Sequence, residues 1–254
     1  MLKSTPENPK KPEPKAFLFI GPPGGGKTTT AMQFPSPYFL DCDGNLDGPK
    51  NFLKSKGKDP SFFYDSVTFK EDGTTVAIEE RYDRLLALVL EAAKSPEIKT
   101  IIIDSLTWID EYVIQKVLKM QGKSAMEAQL WTPYVNQLIK LFAYVRSMNK
   151  TTIITAHEQI VTKPNKADMM NPTIVGFRPS VHSAKIRDAL GGFFTDMLRF
   201  TCEPAPGDTR EYHIKCNRDS MSDLKNSVGI EKEIVVKGGT LAWSELGKFY
   251  KDIV

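Results

Sequence analysis

Residues 21–28 read Gly-Pro-Pro-Gly-Gly-Gly-Lys-Thr, or GPPGGGKT. The spacing is G-x-x-x-x-G-K-[ST], the phosphate-binding P-loop. Ahead of it, Ala16 to Ile20 (AFLFI) reads as a short buried strand, and Thr28 to Phe34 can open a helix. Strand, loop and helix in that order are the setting the motif requires. Glycines let the loop turn with its backbone N–H groups facing inward. Those donors, with the positive end of the following helix, hold phosphate oxygens. The loop therefore assigns Gly21, Pro22, Pro23, Gly24, Gly25, Gly26, Lys27, Thr28 and Thr29 to a nucleoside triphosphate. Lys27 reaches its β- and γ-phosphates and the Thr28 hydroxyl faces Mg²⁺.

The rest of the composition fits one globular unit. The chain has 254 residues, 41% hydrophobic and 26% charged. No apolar run approaches the roughly 20 residues a membrane helix needs. Residues 1–15 (MLKSTPENPKKPEPK) hold no apolar stretch and read as a disordered Pro/Lys-rich tail. Cys42, Cys202 and Cys216 form no CxxC pair, and with 3 histidines they argue against a zinc site or a disulfide framework. This usage points to the cytoplasm. A net charge of +3 permits a nucleic-acid partner without arguing for one.

Strand and helix patterns alternate as far as residue 217, which predicts a mostly parallel sheet covered on both faces. Pro37 to Asp41 (PYFLD) and Thr100 to Asp104 (TIIID) read as buried strands, and Thr151 to Ala156 (TTIITA) as another. Residues 43–60 read as a loop or short surface helix. Helical stripes run from Arg81 to Lys94, from Leu106 to Met120, and onward from Thr132-Pro133, a fitting N-cap and N1 pair. Residues 158–182 read as a long irregular loop. A short helix follows over Ser183 to Leu190. Met197–Cys202 and Glu211–Cys216 then predict a late antiparallel strand pair. The division is a tail (1–15), an ATPase-type core (16–217) and a C-terminal extension (218–254) packed on it, with one more strand and a helix over Ser244 to Ile253.

Asp104 ends an apolar strand 77 positions after Lys27 (104 − 27), where an acid can face Thr28 and the Mg²⁺ shell. Ser105 follows it, so no acid adjoins Asp104 to activate water. That role moves to Asp41 or Asp43 in FLDCDG, at the end of the neighbouring strand. His157, at the tip of TTIITA, can sense the γ-phosphate. Asn165 to Asp168 matches the guanine-selecting NKxD pattern, but it lies 8 positions past His157 (165 − 157) in a loop, with no DxxG motif in the right place. ATP is the expected nucleotide.

Together GPPGGGKT, FLDCDG, TIIIDSLT, LWTPYVNQLIKLF and ITAHE occur in the order seen in phage-encoded P-loop ATPases with a RecA-like core. The chain resembles the phage nucleotide-binding, single-strand annealing ATPases over about residues 14 to 220. The resemblance implies a RecA-like P-loop NTPase core, ATP and Mg²⁺ as cofactors, and an ATPase that binds single-stranded DNA as a ring or filament. A phage or host single-strand-binding protein is an implied partner; a membrane is not. By position, Asp43 falls where a water-activating Glu is usual, with a shorter reach. His157 falls at the sensor position. Lys163, Lys166, Phe177 and Arg178 fall in the DNA-binding loop, a basic-plus-aromatic set suited to phosphates and base stacking. Lys215 and Arg218 fall where a neighbouring subunit's cations reach the γ-phosphate. An AAA-type motor or helicase-loader component acting on a protein partner is the alternative; against a small-molecule kinase, the chain shows no evident Arg-rich lid and its basic residues are scattered.

Overall fold

In the computed structural model residues 14–58, 61–165, 171–207, 209–237 and 240–253 are described. The proposed tail (1–15) lies almost wholly outside them. The chain builds one mixed sheet of nine strands. The P-loop strand β1 (Ala16–Gly21) runs down its centre and is buried at every residue.

Six strands are parallel: β3 (Phe63–Ser66), β2 (Pro37–Asp41), β4 (Thr100–Asp104), β5 (Thr151–Lys163), β1 and β7 (Asp196–Ala205), in that spatial order. Beyond β7 the sheet turns antiparallel through β8 (Thr209–Lys215) and β9 (Ile234–Lys237), and β6 (Thr173–Pro179) pairs antiparallel with the far end of β5. The α/β class, the parallel core and the late antiparallel strands are as the sequence predicts.

Alternation along the strands sends successive side chains to opposite faces. Phe17, Phe19, Phe39, Ile102, Ile153 and Leu198 face one layer. It holds α1 (Lys27–Ala31), α2 (Asp47–Ser55) and α7 (Ala242–Leu246). Leu18, Ile20, Leu40, Ile101, Ile103 and Ile154 face the other. That layer holds α3 (Arg81–Lys94), α4 (Leu106–Gln121), α5 (Trp131–Ser147) and α6 (Ala184–Phe193). Gly122 closes α4 in the left-handed conformation at φ 60°.

Several boundaries differ from the sequence reading. Within the loop expected over 158–182, residues 158–163 and 173–179 are strand. β5 runs on to Lys163 and β6 returns beside it, with a register shift at Val161/Thr162. The β-branched residues of EQIVTK and TIVGF satisfy the ladder, while the polar residues and prolines between them masked the pairing. α5 starts at Trp131, so Thr132 and Pro133 sit inside its first turn. Gly191 and Gly192 lie within α6, whose N-cap is Ser183. The final helix is only Ala242–Leu246, followed by a turn of 3₁₀ helix at Lys251–Ile253.

Residues 218–253 close over the sheet. β9 extends its edge, and Trp243 packs on Phe34 with ring centroids 4.0 Å apart. Asp196, fully buried, accepts from the Tyr250 hydroxyl at 2.8 Å, from Ser227 N–H at 2.7 Å and from the Ser227 hydroxyl at 3.0 Å.

Candidate nucleotide site and the opposing cleft

The carboxyl ends of β1, β2 and β4 and the middle of β5 converge under the P-loop. The loop itself is pressed onto β7: a Cβ on Gly21 would lie 2.1 Å from the Phe200 carbonyl oxygen, and one on Gly25 only 2.8 Å from it. No other residue fits that approach. The buried Lys27 ammonium donates to the carbonyls of Gly21 and Pro22, both at 2.9 Å. Burial pushes its pKa down, against the pull of Asp104, Glu158 and Asp43. Phosphate oxygens in the loop offer this cation stronger acceptors than two neutral carbonyls.

Asp104 is held from two sides. The Thr28 hydroxyl donates to its Oδ2 at 2.6 Å, and the Thr155 hydroxyl donates to its Oδ1. Strand alternation explains the meeting. Ile102 and Ile153 face the α1 layer, so Asp104 and Thr155, two residues on, face it too. Thr155 was not singled out in the sequence, although its spacing from His157 carried the signal.

Asp41 and Asp43 have separate tasks. Asp41 Oδ1 accepts the backbone N–H groups of Asp43 (3.1 Å), Gly44 (2.7 Å) and Asn45 (3.3 Å). It shapes the turn and has no free reach. Asp43 is half-buried at the tip. Burial, with Asp104 and Asp41 beside it, pushes its carboxyl up to about 7. A divalent cation matches this cluster. Three carboxylates crowd one ammonium, and Asp104 stands against the Thr28 hydroxyl. Thr28 and Asp104 would hold Mg²⁺ there, where it would neutralise phosphate charge.

His157 pairs in register with Gly21, and its N–H donates to the Thr107 hydroxyl at 3.2 Å. Burial and the Lys27 charge push its imidazole pKa down, so the ring is neutral at ordinary pH. A pocket of about 320 Å³ adjoins the P-loop. Asn45, Phe52, Arg210 and Tyr212 wall it, and the Tyr212 ring lies 3.2 Å from where a Gly26 Cβ would sit. The sequence reading assigned no role to Arg210 or Tyr212. Their alternation with Ile214 on β8 was the available clue.

One residue past His157, the chain faces the other layer. Glu158 accepts a two-pronged ion pair from Arg199, at 2.7 and 3.0 Å. Both side chains are nearly buried. The Arg199 guanidinium lies 3.7 Å from the centroid of the Phe177 ring. Arg178 donates to Gln159 at 3.1 Å. Lys163 ends β5 opposite Thr173. These residues form the β5–β6 hairpin, and Lys166 lies outside the described residues. Lys215 sits opposite Arg199 on β8. Arg218 is exposed, pairs with Asp223 at 3.0 Å, and lies on the hairpin side with Phe177 and Arg178, away from this chain's own P-loop pocket.

A P-loop over α1, with an acid at the end of a parallel strand one strand removed from β1, defines an ATPase-type nucleotide-binding domain. The chain belongs to the AAA domain family, whose model matches residues 13–228. A search of curated proteins gives no match. No described helix is long and apolar enough to cross a membrane.

Proposed function

We propose that this protein hydrolyses ATP and couples that turnover to single-stranded DNA, which it binds through the β5–β6 hairpin while assembling with further copies to promote annealing or strand pairing. The observation that carries this reading is β5 itself. A single strand of 13 residues bears Thr155 and His157 at the nucleotide end and Gln159 and Lys163 on the hairpin. One strand thus joins the γ-phosphate end of the site to the hairpin.

In the proposed reaction the P-loop amides and Lys27 hold the β- and γ-phosphates. Thr28 and Asp104 fix the metal-bearing edge, and Mg²⁺, when bound, offsets the charge on the transferring phosphoryl group. Asp43 accepts a proton from water as the water oxygen attacks the γ-phosphorus. The bond to the β-phosphate bridging oxygen breaks, giving ADP and phosphate. Neutral His157 orients a γ-oxygen or the attacking water. Lys215 would approach a neighbour's γ-phosphate in an assembled ring or filament.

An ATPase assay with and without single-stranded DNA, with mass followed in parallel, tests the whole reading. Stimulation by DNA together with oligomer growth is the expected result. Turnover indifferent to DNA, and raised by a protein fraction instead, would favour an AAA-type loader.

A further inference from the structure

On the sheet face away from the P-loop pocket, a cleft of about 740 Å³ opens between β6, α6, β7 and residues 218–225. Arg178, Arg187, Arg199, Arg218 and Lys225 reach its walls from four separate stretches of chain. Asp188, Asp219 and Asp223 share the lining and Arg199 is neutralised by Glu158, leaving an excess of one positive charge (4 − 3). Asp223 is already engaged with Arg218.

The cleft is built rather than incidental. Phe177 N–H donates to the Met221 carbonyl at 2.7 Å, and Lys225 and Met197 exchange backbone bonds at 2.8 and 3.2 Å. A Cβ on Gly176 would come to 3.0 Å from the Met221 carbonyl oxygen, so this segment closes tightly on β6. Within the lining, the Ser222 hydroxyl is buried, at 6% residue exposure, and has no hydrogen-bond partner among the described residues. A buried hydroxyl in a cation-lined cleft calls for an anionic oxygen to complete it.

We infer that this cleft binds a backbone phosphate of single-stranded nucleic acid, with Arg187, Arg218 and Lys225 supplying charge and Ser222 a buried donor. The inference rests on the DNA-binding reading above. The cleft is continuous with the hairpin, since Phe177 and Arg178 belong to both. Ile160 and Ile174 stand exposed on the hairpin strands, where bases emerging from the cleft can lie against them.

The test measures binding of a labelled oligodeoxythymidylate to the full chain across a salt series. The variants are Arg218→Glu, Lys225→Ala and Ser222→Ala, with Lys248→Ala as a charge control. ATP binding reports folding. Lys225 also donates to the Gly191 carbonyl, so Arg218→Glu decides if Lys225→Ala fails to fold. Expected is a loss of about tenfold or more in affinity for Arg218→Glu. Each single charge removal should reduce the slope of log K against log salt by about 0.7. Lys248→Ala should leave both unchanged. Wild-type-like affinity and slope in the cleft variants, with the wild type still binding DNA, overturn the cleft and leave the hairpin reading standing. Failure of the wild type to bind overturns both. A variant that keeps the slope but loses turnover assigns Arg218 to a neighbour's phosphate and also overturns the cleft.

Discussion

At the scale of single residues, the nucleotide site separates three aspartates by what surrounds them. Asp41 spends its carboxylate on three backbone N–H groups, and Asp104 spends its own on Thr28 and Thr155. Asp43 alone keeps a carboxyl held near neutrality, at about 7. As the water-activating base it must be deprotonated, so kcat is expected to rise with pH through about 7. Asp43→Asn should flatten that rise and lower kcat by roughly 10²–10⁴-fold. A second readout is stability in the nucleotide-free protein. The folded pKa exceeds the unfolded one, so the folded state binds the extra proton between about 4 and about 7. The wild type therefore loses stability across that window as pH rises, and Asp43→Asn should not. Urea melts at pH 4 and pH 8 compare the two slopes. Lys27→Ala should abolish ATP binding, followed by a fluorescent nucleotide analogue; undiminished turnover in that variant would sink the P-loop assignment.

At the scale of elements, the P-loop, Asp104 and the buried strands were legible because their patterns are local: a fixed spacing, or an apolar run ending in an acid. The β5–β6 hairpin was not. Its two strands are polar on one side, separated by prolines, and joined only by long-range pairing, which no local period records. Arg199 escaped for a related reason. Its value lies in Glu158, 41 residues away (199 − 158), and Phe177 on a third strand. Glu158→Ala leaves that nearly buried guanidinium without its counter-charge. The expected cost is about 3–5 kcal/mol, read by chemical denaturation. On the outer part of the hairpin, Lys163→Ala with Arg178→Ala should abolish single-strand binding while ATP binding persists. Unchanged DNA affinity in that double variant would count against the hairpin as the DNA element.

At the scale of the whole molecule, the parallel sheet was readable from strand–helix alternation and an extension packed on the core was expected, but its particular contacts were not legible: Ile234, Val236 and Leu246 join the core, and one buried carboxylate ties the segment down. Asp196 anchors Ser227 and Tyr250, and Tyr250 caps the central strand against Phe17, ring centroids 5.0 Å apart. Tyr250→Phe keeps the ring and removes the hydroxyl. It should cost about 1–3 kcal/mol, visible as a lowered melting temperature. Mixing Lys215→Ala with Lys27→Ala subunits tests whether assembly completes the site. Partial recovery of turnover in the mixture is the expected outcome, and no recovery at any ratio would remove the support for action in trans.

The Tyr250–Phe17 contact also sets a schedule. Phe17 leaves the ribosome 233 residues before the ring that covers it (250 − 17). At about 5–20 residues per second that gap lasts about 10–50 s. For that interval the central strand can collect its parallel neighbours one by one, while its aromatic underside is covered only in part, by Phe34 and α1. A nascent chain thus presents a nucleotide cradle before its floor is laid, and Phe17 and Phe34 form a defined apolar strip that waits for Trp243 and Tyr250 to cover it.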